Sequence, residues 1–368
     1  MNTTLYIKRT HVYKTHLFTE LHLDIYLSSS NKESNTPKPI LLWFHGGYLV
    51  CFLHWIPQFT SKTLKHHHHQ VTGSRAAIPR WLLNHALAHD WTLVSPDYRV
   101  LPESTGFATT EDLVSAYEWV AGSLSRLHPD CTADPSQIII GGASTGGWCA
   151  LVTTLHFSSQ NRIPRPKALW LLYPMLDLGS DKWAQSVSLP GAMVDPDLAH
   201  YLLLKGIPQR IARGETSVGE DFPTSEEELR TRKRLPLLYT ILERGVFLDY
   251  LTGVSGFGER VVDVGLEGAV EDERAKKLFP LHWGLFSPGF PATVIVHGTV
   301  DREVSCDESE KLVAKLQEIG AEVSYYPVRG ADHVFDLELQ ECQQEGWDRE
   351  PMATLSQALR ALQGYVDQ

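Results

Sequence analysis

Short, unbroken apolar runs recur along this chain, and stretches with helical periodicity separate them. The runs cover residues 40–44, 91–95, 137–140, 168–173 and 292–296, with a weaker one at 322–326. The first and third each end at a Gly-Gly pair. A run with apolar side chains at every position suits a strand covered on both faces, which is the condition of a parallel sheet. Residues 77–89, 110–127, 147–156, 306–319 and 352–366 carry the helical pattern between and after them. Strands alternating with helices predict an α/β fold, a mostly parallel central sheet flanked by helices. Near the start the pattern differs. Leu21, Leu23, Ile25 and Leu27 alternate with His22, Asp24 and Tyr26, as in a half-buried strand. Residues 5–13 read as its antiparallel partner, and 28–38 as a polar loop.

One region breaks the alternation. Residues 182–289 show no strand rhythm, with helical candidates at 198–204 and 226–243 and a glycine-rich stretch at 253–268. The expected organisation is a core built from 1–181 and 290–368, interrupted by a helical cap at 182–289, with the extreme N-terminus contributing to the cap. The net charge of −11 and the lack of a Lys/Arg-rich block argue against a nucleic-acid partner. Five cysteines lie far apart with no Cys-x-x-Cys pair, which fits a reduced intracellular chain. Lys8, Arg9, His11, Lys14 and His16 interrupt any apolar leader, and the longest apolar stretch, 40–56, contains His45, Gly46, Gly47 and His54. No signal peptide or membrane span is expected, and the location that follows is cytoplasmic. The oligomeric state is open, with a homodimer among the options.

Chemistry concentrates at the ends of the apolar runs. Gly142-Ala143-Ser144-Thr145-Gly146-Gly147 joins an apolar run to a helical stretch. This is the strand–turn–helix setting in which a sharp turn exposes a nucleophilic serine at the carboxyl end of a sheet. Flanking glycines let backbones approach, and the helix that starts at the serine favours a developing anion. His45-Gly46-Gly47-Tyr48 ends the first run and can aim backbone N–H groups at an oxyanion, with the N–H of Thr145 completing the hole. A serine nucleophile needs a base and an orienting carboxylate, in the chain order serine, acid, histidine. His297-Gly298-Thr299-Val300-Asp301 ends an apolar run and suits the acid. Gly330-Ala331-Asp332-His333 follows the last run and suits the base, 32 residues on, enough for one helix and one strand. Asp332 and Glu303 compete with Asp301, although Asp332, adjacent to His333 in sequence, is poorly placed to reach its Nδ1.

Asp97-Tyr98-Arg99-Val100-Leu101-Pro102-Glu103 lies between these segments. His-Gly-Gly, Asp-Tyr-Arg-x-x-Pro-Glu and Gly-x-Ser-x-Gly-Gly in that order resemble the hormone-sensitive-lipase family of α/β-hydrolases, from the alternating strand at Leu21 to the C-terminal helix. The resemblance implies the α/β-hydrolase fold and a serine carboxylesterase. It implies a catalytic triad of Ser144, His333 and Asp301, and an oxyanion hole from Gly46, Gly47, Tyr48 and Thr145. The substrate class is a small-to-medium, fairly apolar ester, and no metal or organic cofactor is needed. His45, Arg99 and Glu103 then brace the site without reacting.

Two departures bear on substrate. The family's His-Gly-Gly-Gly ends here in Tyr48, which keeps a backbone N–H but adds a phenol. Its Gly-Asp-Ser-Ala-Gly reads Gly-Ala-Ser-Thr-Gly. His-Gly-Gly-Tyr also resembles the oxyanion segment of arylformamidases, so amide hydrolysis is an alternative. A dehydratase or cyclase step on the same scaffold is another, and a binding module without catalysis is the least favoured. The length of the insert points to a roomy pocket and a specialised metabolite. The His66–His69 run reads as a solvated loop, Trp148 and Cys149 as core residues, and Asp177 as a loop brace. No Gly-Lys or His-Glu dipeptide occurs, so neither a P-loop nor a His-Glu-x-x-His zinc motif is present.

Overall fold

In each of four central strands, every second side chain enters one apolar layer and the alternate ones enter another. Ile40, Leu42, Phe44, Ile138, Ile140, Leu169, Leu171 and Ile295 face the first layer. Leu41, Trp43, Ile139, Trp170, Leu172, Val294 and Val296 face the second. That is why these runs show no polar alternation. A computed structural model describes residues 6–29, 37–50, 74–158, 163–187, 201–218, 234–337 and 350–368. The strands are β1 (Tyr6–His16), β2 (Thr19–Ser28), β3 (Lys38–Phe44), β4 (Thr92–Pro96), β5 (Ala133–Ala143), β6 (Ala168–Leu172), β7 (Ala292–Gly298) and β8 (Val323–Val328). They form one sheet in the order β1-β2-β4-β3-β5-β6-β7-β8. β2 is antiparallel to β1 and to β4, and the rest are parallel. This is the expected mostly parallel sheet.

The helices outside the insert divide between the two layers. α1 (Arg80–Ala88) packs Trp81, Leu82 and Ala86 into the second layer. α2 (Gly106–Leu127) and α3 (Thr145–Ser158) pack into the first. α2 starts a turn earlier than its pattern suggests, because the Thr105 side chain caps it by accepting from the Ala108 N–H. α3 is buried almost all round, as a helix must be that lies between the sheet and further helices.

Among the described residues, the chain between β6 and β7 holds helices joined by turns and irregular loops, and no strand. The segments are α4 (Asp181–Ala184), α5 (Ile207–Ala212), α6 (Arg234–Glu243), α7 (Phe247–Thr252), α8 (Phe257–Ala269), α9 (Glu273–Lys276) and α10 (Pro280–Trp283). The glycine-rich stretch therefore folds largely as α8, with Gly265 at a non-helical φ of 74° inside it. The 198–204 candidate is described from residue 201 on, where it runs into a π-helical turn, Leu202–Gly206; residues 198–200, the first part of 226–243 and the His66–His69 run lie outside the described residues. α11 (Asp307–Glu318) joins β7 to β8 on the first layer, and α12 (Met352–Val366) closes the second. The N-terminal hairpin belongs to the sheet rather than standing over it. Among the described residues, its turn meets the insert at the Thr216–Thr19 hydroxyl contact of 2.9 Å and near Gly214.

Arg99 and Glu103 are both buried in this frame. Arg99 donates Nε and Nη2 to the two oxygens of Asp112 on α2, at 2.7 and 2.9 Å. The cis peptide Leu101-Pro102 lies just before Glu103. Glu103 takes Arg234 Nη1 at 2.9 Å on both oxygens and Arg210 Nη1 at 2.7 Å. Arg234 also donates to the carbonyls of Val50, at 2.8 Å, and Leu101. One buried guanidinium thus ties the insert to the segment that follows the first Gly-Gly pair. Removing one partner of a buried pair leaves an uncompensated charge. Arg234→Met should lower the unfolding free energy by about 3 kcal/mol in urea titration. A loss below about 1 kcal/mol would show that the Arg210 contact alone suffices for Glu103.

Candidate active site

The register of the central strands sets the site. Trp43 pairs with Gly141 and Phe44 with Gly142, so β3 and β5 end level and deliver His45-Gly46 beside Ser144. A Cβ on Gly46 would stand 2.9 Å from the Ala143 carbonyl oxygen and 3.2 Å from the Ser144 Cβ. The turn itself is as tight. A Cβ on Gly142 would sit 2.0 Å from the Gly146 carbonyl, and one on Gly146 would sit 2.1 Å from the Phe44 carbonyl. Only glycine fits either place.

Ser144 has a φ of 54°, a conformation costing a non-glycine residue about 1–3 kcal/mol that surrounding structure must impose. Its N–H donates to the Leu172 carbonyl at 3.0 Å. Its own carbonyl accepts from Gly147, at 2.8 Å, and from Met175, at 2.9 Å. Thr145 opens α3, so its N–H has no partner within the helix and is available to an oxyanion.

β7 and β8 end level in the same way, pairing Gly298 with Val328. The two loops beyond them are laced together. Thr299 N–H donates to the Val328 carbonyl at 2.9 Å, and Val300 N–H to the Ala331 carbonyl at 3.1 Å. Gly298 has no room for a Cβ, which would come within 2.3 Å of the Ala331 oxygen. These contacts bring Asp301 and His333 together. His333 Nε2 lies 3.1 Å from Ser144 Oγ, and its Nδ1 lies 2.6 Å from Asp301 Oδ2. All three side chains are nearly or fully removed from solvent.

Asp301 is held on both oxygens. Oδ1 accepts the N–H groups of Glu303, at 2.9 Å, and Val304, at 2.8 Å. Oδ2 accepts from His333 and also from His297 Nε2, at 3.1 Å. The same His297 nitrogen faces the Val304 carbonyl at 3.0 Å, so it carries the proton, while Nδ1 accepts from the Ser309 hydroxyl at 2.7 Å. Burial opposes the Asp301 charge, but His333, His297 and the Val304 N–H together hold the carboxyl well below its ordinary range. Burial likewise opposes an imidazolium at His333. The Asp301 charge and hydrogen bond outweigh it, with Glu303 and Asp332 assisting, and the net shift is upward. A histidine at the end of an otherwise apolar strand was the available signal for His297, which motif spacing alone passed over.

The rival acids are engaged elsewhere. Asp332 takes the Arg302 guanidinium and N–H and the His333 N–H. Glu303 Oε2 accepts the Tyr48 hydroxyl at 2.9 Å. Asp177 is a loop brace, contacting Lys311 Nζ at 2.7 Å and His282 Nε2 at 2.9 Å. His45 is buried. Burial lowers it to about 4, so it is neutral, and it stacks on Tyr98 at 4.3 Å. Its Nδ1–H donates to the Gly46 carbonyl at 2.8 Å, and Tyr98 O–H donates to the His45 carbonyl at 2.6 Å. Gly47, Tyr48 and Leu49 follow with φ of 116°, 54° and 58°. Cys149 is fully buried, and burial pushes its thiol far up, which makes it inert.

A second acid stands behind the histidine. Asp336 is fully buried, accepting Tyr173 O–H at 2.7 Å and Trp81 Nε1–H at 2.8 Å. The Tyr173 ring meets the His333 ring edge-on, with centroids 4.8 Å apart. Neither residue carried a signal in the sequence. Among the described residues no group of His, Cys, Asp and Glu could hold a metal, and no helix is long and apolar enough to cross a membrane.

A family description of the α/β-hydrolase fold matches residues 69–204. The chain is 26% identical over 343 residues to non-reducing polyketide synthase pkbA of Emericella nidulans, covering 86% of this chain and 12% of that protein. It is 24% identical over 335 residues to methylphloroacetophenone synthase of Cladonia uncialis, again covering 86% of this chain and 12% of that protein. The chain therefore spans about an eighth of the length of these relatives. Among solved structures, the esterase LipW of Mycobacterium marinum superposes with a TM-score of 0.55 at 19% identity, over 98% of this chain and 82% of that one. That is a likeness of fold.

The upward shift of His333 has a definite sign. Its imidazolium loses the proton only above the ordinary histidine value of about 6.5, so at lower pH Nε2 cannot accept a proton from Ser144. An NMR titration of the His333 ring should report a midpoint above 6.5, and in Asp301→Asn, where burial dominates, a midpoint below it. A wild-type midpoint at or under 6.5 would contradict the electrostatic reading.

Proposed function

From the premise that the chain is an α/β-hydrolase carrying the motif set of the hormone-sensitive-lipase-like carboxylesterases, we propose that it is a serine acyl hydrolase. It cleaves a small-to-medium apolar ester by way of an acyl-enzyme. One observation carries the reading: Ser144 Oγ, His333 and Asp301 form a continuous hydrogen-bonded line at the carboxyl ends of β5, β7 and β8. His333 Nε2 takes the hydroxyl proton as Ser144 Oγ attacks the acyl carbonyl. Asp301 receives the Nδ1–H and stabilises the imidazolium. The N–H groups of Thr145 and of the Gly46–Tyr48 turn stabilise the oxyanion. One such donor is worth roughly 3–4 kcal/mol in the transition state. The proton on Nε2 then goes to the leaving group, and water, activated by the same nitrogen, releases the acid. The substrate is a small molecule, and no step calls for a cofactor.

Residues 182–289 act as a cap in this proposal. Its support is the buried Arg234 link to Glu103 and Val50, and Trp183 packed edge-on against Tyr48 with centroids 5.8 Å apart. Apolar side chains of the cap would set acyl and alcohol preference.

The relatives favour a second reading at the same serine. Polyketide synthases build acyl chains, and the name of one relative describes an acylated aromatic polyol. Here the acyl group arrives as a thioester and a thiol leaves with the proton from His333 Nε2, while the roles of Ser144, His333 and Asp301 stay unchanged.

Turnover of p-nitrophenyl esters of graded chain length, beside the matching acyl thioesters, separates the two readings. Ser144→Ala should lower kcat about a thousand-fold or more on whichever series is accepted. A preference for thioesters at equal acyl length selects the second reading. Turnover that survives Ser144→Ala would overturn both.

A further inference from the structure

Tyr48 occupies the place where the family resemblance has a third glycine, yet its φ is 54°. Glycine holds that conformation freely, whereas a residue with a Cβ must be held in it from outside. The restraints are visible on the side chain. The ring is only 3% exposed and stands edge-on to Trp183. The O–H donates to Glu303 Oε2 at 2.9 Å, a contact between residues 255 positions apart. Burial, with the Glu303 charge beside it, holds the phenol well above its ordinary value, so this donor keeps its proton.

Glu303 reaches the other half of the site through its backbone. Its N–H donates to Asp301 Oδ1 at 2.9 Å, and its carbonyl accepts from Lys182 Nζ. The Lys182 ammonium lies 4.8 Å from the ring centroid of Trp183, the ring that packs on Tyr48. One glutamate therefore contacts the acid of the hydrogen-bonded line by its peptide and the oxyanion segment by its carboxylate. Resting on the serine-hydrolase reading, we infer that Glu303 is a positioning residue that fixes the oxyanion N–H groups through the side chain of Tyr48. The oxyanion segment and the acid loop are then locked to each other, and the glycine lost at position 48 is replaced by a tether.

The test has two arms. In the first, hydrogen exchange of the amides in residues 45–50 is followed by mass spectrometry for the wild type, Glu303→Ala, Glu303→Gln and Tyr48→Phe. Exchange should speed up in Glu303→Ala and Tyr48→Phe and return toward wild type in Glu303→Gln, whose amide oxygen still accepts the phenol. In the second arm, kcat on an accepted ester should fall about ten-fold or more in Glu303→Ala and in Tyr48→Phe, with KM changed less than about three-fold. Glu303→Gln should recover most of that loss. Adding Glu303→Ala to Tyr48→Gly should cost less than about three-fold, because no tether remains to cut. Unchanged exchange in Glu303→Ala, or a Gln variant as impaired as the Ala variant, would overturn the inference. The exchange arm needs no turnover, so a protein inactive on every ester and thioester would sink the hydrolase reading while the tether is still decided.

Discussion

Every feature of the site depends on the turn at Ser144, where two backbones approach too closely for any side chain but hydrogen. Gly142 and Gly146 close that turn on itself and on β3. The strained serine is kept in place by hydrogen bonds to Leu172 and Met175, at and just beyond the end of β6, and to Gly147 in the first turn of α3. Because β3 and β5 end level, the same packing brings the His45–Tyr48 turn against the serine. The sheet thus does more than carry the site: its register decides which loops can meet.

The second half of the site is an electrostatic arrangement made possible by burial. In water, an aspartate and a histidine at 2.6 Å would gain little from each other. Here Asp301 has its charge distributed over two backbone N–H groups and two imidazoles, so it stays ionised where burial alone would protonate it. That fixed charge raises His333 and selects the tautomer whose Nε2 faces Ser144. His297 and the Tyr173–Asp336 pair bound this arrangement on opposite sides, one holding the acid and one lying against the base. The arrangement is preorganised, and preorganisation is what acyl transfer requires.

The sheet, the turn and the line from Ser144 to Asp301 could be read from the sequence because each rests on local signals. Apolar runs without polar alternation marked strands buried on both faces, and glycines at the ends of those runs marked close approaches. Asp301 and His333 stood directly after such runs, in the expected chain order. What escaped was contact between distant segments. Arg234 lies in a charge-rich part of the 226–243 helical candidate, yet it is buried on Glu103. Tyr48 reads in the sequence as a phenol added beside the hole, and its partner is a residue weighed as a rival acid. The glycine-rich stretch carries no clear helical signal of its own, but burial of Phe257, Val261, Leu266 and Ala269 against the core gives it helical form around the bend at Gly265. Tertiary packing overrides local preference in such places.

The central claim is that Ser144 carries the acyl group in a covalent intermediate. The direct measurement is rapid acid quench of wild-type protein mixed with an accepted aryl ester or acyl thioester, followed by mass spectrometry of its peptides. The account predicts a transient mass increase equal to the acyl group on the peptide containing Ser144, formed before steady-state release of the acid. Turnover with no acyl adduct at any quench time, or an adduct confined to another residue, would contradict it.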